Sequence, residues 1–327
     1  MPTWGDLLHQ LTQRAKTAGG QVPLDEVRRE ALANLSKLTG RPAVLYASRW
    51  LQGGGPTGLQ LITLEDVHGF MEVLHGVPGP SLDLILHSPG GSPTAAEAIV
   101  QYLRSRASDL RVFVPLAAMS AATMIACASD RIVMGKHSYM GPIDPQMVLE
   151  TPLGQQLLPA YAIKQQFERA QADSANPTLF PAWIPMLQQY GPSLLVQCDN
   201  VLKLSEDLVS GWLAKWMLKD RHDAPAAAET AAKKLNEHGA HRVHDRYLPR
   251  ELLRGYGLVI DDLEADQPLQ DAVLTVFHAM SHTFSIAGAA QKIIENHLGK
   301  TFIKQAQVAQ VQMPAFIPPP PSAPPGR

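Results

Sequence analysis

The stretch "LDLILHSPGGSPTAAEAIVQYLRS", Leu82–Ser105, decides how this chain is read. "LDLILHS" is a short apolar run bounded by turn residues, the pattern of a strand buried on both faces of a parallel sheet. After Gly90 and Gly91 the spacing becomes helical, with Ser92 placed to cap the helix and Pro93 at its first position. A glycine pair at such a junction has two readings. It is a tight turn, or it is a place where outward-facing N–H groups at a helix start receive an anion.

Working outward, the same alternation recurs on both sides. "RPAVLYASRW" begins a strand, "GGGPTG" (Gly53–Gly58) is a flexible loop, and "TLEDVHGFMEVLHGV" has helical spacing with Thr63 as its cap. Downstream, "LRVFVPL" is a strand, "SAATMIACAS" a helix and "RIVMG" a further strand. Strands and helices alternating at short spacing predict an α/β domain with a parallel sheet. Residues 1–40 read as amphipathic helix. Pro152 to Leu218 reads as mostly helical, and "PAAAETAAKKLNEHG" as a helix ended by Gly239. A last helical region is expected from Leu269 to Gln305, and the proline-rich tail is expected to be disordered. The domain boundaries are set at 1–40, 41–262, 263–310 and 311–327.

Composition narrows the function classes. The chain has 327 residues, 45% of them hydrophobic, enough for a sizeable core in one large or two ordinary domains. A net charge of -2 gives no reason to expect nucleic acid or an anionic membrane as partner. Two cysteines, Cys127 and Cys198, without paired spacing fit a reducing compartment, so the expected location is cytoplasmic. The amino terminus shows no signal-peptide pattern. The most apolar stretch, Val112–Ala128, carries Pro115, Ser120 and Thr123 and reads as buried strand plus helix, so no membrane span is expected.

A second junction gives the Gly-Gly turn its meaning. In "VFVPLAAMSAATMIACA", Ser120 stands at a strand-to-helix turn among small residues. It is a plain helix cap, or it is a nucleophile whose following amide, from Ala121, donates to an oxyanion. Together the two junctions can supply both halves of an acyl-transfer site.

"SPGG", then a helix, "AAMSAAT" and "ASDRIVMGKHSYMGPIDPQ" resemble the Clp-protease and signal-peptide-peptidase superfamily. Within it the chain is most similar to the serine dehydrogenase proteinases, through "LDLILHSPGG", "GPIDPQ", "HD" before a helix and "GYGLVI". The similarity runs from about Ala43 to Ile260 and extends loosely to "KIIENHLGK". It implies a Clp/crotonase-like α/β fold with helical additions at both ends. It also implies a serine peptidase with Ser120 as nucleophile, amides of Gly90, Gly91 and Ala121 as oxyanion donors, a peptide or protein substrate, and a homo-oligomer. No cofactor and no metal are expected.

Ser120 needs a base. The Clp arrangement places a histidine about 25 residues after the serine. Here that region reads "GPIDPQ", so the Clp triad does not transfer. The serine dehydrogenase proteinases imply the order serine, aspartate, histidine, which Asp144 and His244 match, with the carboxylate holding the imidazole. Asp144 between two prolines is equally suited to a turn, and His244 to a loop or cap. The signal-peptide-peptidase branch implies a lysine base instead, and Lys164 on "PAYAIKQQFERAQ" is that candidate. His238, His241 and His244 are spaced three apart, but Gly239 breaks the shared helix face and no H-E-x-x-H motif is present, so zinc is set aside. Two other functions fit the same scaffold: an acyl-CoA hydratase or isomerase that needs no Ser120, and a non-catalytic peptide-binding scaffold.

Overall fold

The structure, a computed structural model, describes residues 3–53, 58–151 and 154–306. Five parallel strands form its centre, in the order β10 (Ile260–Asp262), β5 (Arg131–Met134), β3 (Asp109–Val114), β2 (Ser81–His87) and β1 (Ala43–Ser48). Two further strands extend the β1 edge: β11 (Ala290–Asn296) antiparallel to β1, then β12 (Thr301–Gln305) antiparallel to β11. The predicted α/β class with a mostly parallel sheet is what the chain forms.

The alternation of side chains divides two cores between the two faces. Val44 and Tyr46 of β1, Leu82, Leu84 and Leu86 of β2, and Val112 and Val114 of β3 enter one core. Against it pack α3 (Asp66–Leu74), α4 (Pro93–Arg106), α5 (Ala121–Cys127), the end of α8 (Leu194–Trp212) and α9 (Ala224–Asn236). Leu45, Ala47, Ile85, Phe113 and Val133 point the other way, onto α2 (Leu24–Thr39) and α12 (Gln267–Ile286). Leu7 and Leu11 of α1 (Trp4–Thr17) seal the outside of that pair against Val27 and Ala279. With helices on both faces, β2 is buried along nearly its whole length, which is why "LDLILH" reads as a mainly apolar run.

The cap reading of α4 holds: Ser92 accepts the Ala95 N–H and Pro93 opens the helix. Four readings are corrected. The helix "PAAAETAAKKLNEHG" ends at Asn236, and Gly239 lies inside a separate short helix, His238–His241. Thr63 does not cap α3, which begins at Asp66 after Glu65. The region from Leu269 to Gln305 is helical only to Ile286, and residues 290–305 are strands. Its charged residues disguise them. Lys292 and Glu295 are fully buried, the first paired with Asp66 and the second with Arg28. The region expected to be helical from Pro152 is not helical from Gly154 to Pro159 either: β7 (Gln146–Thr151) and β8 (Gly154–Pro159) pair antiparallel before α6 (Ala160–Asp173) and α7 (Phe180–Leu187). The loop "GGGPTG" lies largely, and the tail 311–327 wholly, outside the described residues. Among the described residues no helix is long and apolar enough to cross a membrane.

One buried group ties this core to pH. His87 ends β2 fully buried, its ring 5.7 Å from that of Trp50 and 5.4 Å from that of Phe277. Burial lowers its pKa from 6.5 to about 4. The folded pKa is therefore below the unfolded one, and the unfolded chain takes up the proton first as pH falls. This contribution to stability is intact above about pH 6.5 and is lost toward about pH 4, by about 3 kcal/mol in the limit. Urea unfolding at about pH 7 and about pH 4.5 should show the loss, and His87→Leu should flatten that part of the pH dependence.

Candidate active site

The two glycine- and alanine-lined bends meet. A Cβ added to Gly90 would stand 2.7 Å from Ser120 Cβ, 2.5 Å from Met119 O and 3.0 Å from Ala121 N. Only a glycine allows that approach, and its φ of 95° also suits glycine. The contact is fixed on both sides. Met119 N–H donates to Ser88 O at 3.0 Å and Ser88 N–H to Ala117 O at 3.2 Å, which lashes the two bends together. Gly91 lies against Ile62, whose N–H donates to Gly90 O at 2.8 Å and whose O accepts the Ser92 N–H at 3.0 Å.

Ser120 sits at the bend between β4 (Ala117–Ala118) and α5 with φ 51° and ψ -120°. A non-glycine residue rarely holds that conformation, and it costs on the order of 1–3 kcal/mol. A sharp strand-to-helix turn of this kind lifts a serine hydroxyl out of the backbone. The side chain makes no cap hydrogen bond, so the plain cap reading does not describe it. The Gly90 amide is engaged by Ser88 Oγ at 3.2 Å. Among the described residues the Gly91 and Ala121 amides have no acceptor, the latter as the first amide of α5.

A three-stranded sheet brings residues distant in sequence to this bend. β4 pairs in parallel with β6 (Tyr139–Met140), and β6 pairs antiparallel with β9 (Leu248–Pro249). Ser120 follows β4, Asp144 follows β6 and His244 precedes β9. The strand directions therefore put all three at one end of the small sheet. Side chains reinforce it. Thr123 Oγ1 lies 2.9 Å from Ala118 O and 2.8 Å from Gly141 O, and the Tyr139 and Tyr247 rings meet across β6 and β9 at 4.8 Å.

Asp144 is buried, and His244 Nδ1 donates to its Oδ1 at 2.9 Å. The sequence placed these two together on resemblance alone. Its other carboxylate oxygen was not foreseen as occupied: His238 Nδ1 donates to Oδ2 at 2.7 Å. The sequence signal was there in the run His238, His241, His244, which was weighed only as a metal site. His241 turns away, its Nε2 on Lys234 O at 2.8 Å. No hydrogen bond joins Ser120 Oγ to His244 or to Lys164 among the described residues. Lys164 on α6 instead pairs with Asp199 of α8, a third exposed. The hydrogen bond it donates to Asp199 raises its pKa, the opposite of what a lysine base requires.

The mostly parallel sheet flanked by helices agrees with what comparison with known families finds. Residues 54–182 match the family model described as ClpP-like SDH-type serine proteinase. Two uncharacterized proteins of Methanocaldococcus jannaschii are similar to it. One is 38% identical over 118 residues, covering 36% of this chain and 38% of that protein. The other is 35% identical over 175 residues, covering 53% and 51%. The chain thus spans about half the length, or less, of these curated relatives.

Proposed function

We propose that the protein is a serine peptidase in which Ser120 attacks the carbonyl of a peptide bond. His244 takes the hydroxyl proton, Asp144 holds the imidazole in the Nδ1–H tautomer, and the amides of Gly91 and Ala121 receive the oxyanion. Gly90 serves by its missing side chain, which lets the two bends close on one carbonyl-sized spot. The contact of Gly90 with Ser120 and the Ala121 amide is the observation that carries this reading. The ClpP-like serine proteinase match over residues 54–182 supports it. The same reading includes a peptide or protein substrate and a homo-oligomer.

A fluorophosphonate probe followed by peptide mapping tests it. Label on Ser120 is the expected result. An unlabelled protein that binds CoA would point to the hydratase instead, and one that does neither to a scaffold. The lysine alternative has its own check. Because Lys164 is a third exposed and paired to an exposed aspartate, Lys164→Met should leave kcat/KM within about twofold of wild type. A loss of two orders of magnitude or so would restore it as the base.

A further inference from the structure

The geometry points to His238 as a positioning residue of this site: it occupies the second oxygen of Asp144 and so fixes the carboxylate that holds His244. The inference rests on the serine-peptidase reading above. Asp144 is 1% exposed, and its two oxygens are taken by two different imidazoles, Oδ1 by His244 Nδ1 and Oδ2 by His238 Nδ1. A carboxylate with one fixed oxygen can still turn about its Cβ–Cγ bond. One with both oxygens engaged cannot turn without breaking a charge-assisted bond in a buried setting.

The two histidines are not equivalent. The His244 side chain is 26% exposed and leads into β9 beside the serine bend. His238 is 11% exposed, and the ring of Tyr161 from α6 stands 5.7 Å away. Its backbone neighbour Gly239 leaves room for the Tyr161 hydroxyl, which would lie 3.3 Å from an added Cβ. The chain around it is tied to the aspartate loop, because Ile143 N–H donates to Leu235 O at 3.0 Å at the end of α9. His238 is thus held from both sides, while His244 has the open face that a base needs. Donation by Nδ1–H to a carboxylate leaves Nε2 of His244 as the proton acceptor. Any rotation of Asp144 would release that tautomer.

The test compares the full-length wild type with His238→Ala, His238→Asn and His244→Ala, by peptide turnover and by the rate of fluorophosphonate labelling. Asparagine places an N–H near the position of histidine Nδ1, so it keeps the bond to Asp144 while lacking a base. His238→Ala should lower kcat about tenfold or more with KM within about twofold, and His238→Asn should recover most of the loss. Wild-type kcat in His238→Ala would overturn the inference. So would a His238→Asn protein as slow as His238→Ala, which would make the imidazole itself the requirement. If the wild type takes no label, the peptidase reading fails, and imidazole nitrogen–proton spectra of the same proteins still decide the contact. The expected result is a His244 Nδ1–H signal that broadens in His238→Ala and returns in His238→Asn. A His244 signal indifferent to both variants would overturn the inference.

Discussion

Replacing Ser120 with alanine is expected to abolish fluorophosphonate labelling and to cut peptide turnover by about four orders of magnitude or more. The fold should barely register the change. The Ser120 side chain accepts no cap bond, and the bend is held by backbone contacts from Met119 and Ser88 and by the Thr123 hydroxyl. A stability change within about 1 kcal/mol in urea is therefore the companion expectation. The pairing of results matters. Loss of activity with an unchanged denaturation midpoint identifies the hydroxyl as the reacting group. Turnover that survives the substitution would remove Ser120 from the mechanism, whatever the family of the domain.

Gly90→Ala should damage both the fold and the site. Its Cβ would meet Met119 O at 2.5 Å and Ser120 Cβ at 2.7 Å, and its φ of 95° disfavours any side chain. Two of the three closest atoms are backbone and cannot swing aside, so the bends must separate. Overpacking and backbone strain together should cost about 3 kcal/mol. Separating the bends by even about 1 Å should lower labelling of Ser120 by about 100-fold. Gly79→Ala separates the two causes, since Gly79 has φ 89° but open space around it. It should cost about 1 kcal/mol and leave labelling intact. Wild-type labelling in Gly90→Ala would show that the two bends do not work as one site.

Most of the parallel sheet was legible because "LDLILH", "LRVFVPL" and "RIVM" are largely buried and so carry mainly apolar runs between turn residues. Both bends were legible for the same reason, as small residues at the ends of those runs. The last two strands were not. Fully buried Lys292 and Glu295 look solvent-exposed in one dimension, and their partners Asp66 and Arg28 lie 226 and 267 residues away. The pair β7 and β8 hid behind its exposed Val148 and Leu157, which leave no one-sided alternation to read. At the site, the pairing of Asp144 with His244 came from resemblance alone. His238 was visible as a residue but not as a partner. A bond across 94 positions depends on the Ile143–Leu235 tie, which no local pattern encodes.

The small sheet of β4, β6 and β9 closes over a hundred-residue excursion between Asp144 and His244. The outer part of that excursion has a core of its own, Ala160, Ile163, Leu194 and Cys198 with Met147, Leu149 and Leu158 around it, separate from the cores of the main sheet. An appendage that packs on itself can be lengthened, trimmed or exchanged during descent while the ladder at its base keeps the same three side chains in register. Selection can therefore remodel the appendage while leaving the bend of Ser120 and the Asp144–His244 pair in place.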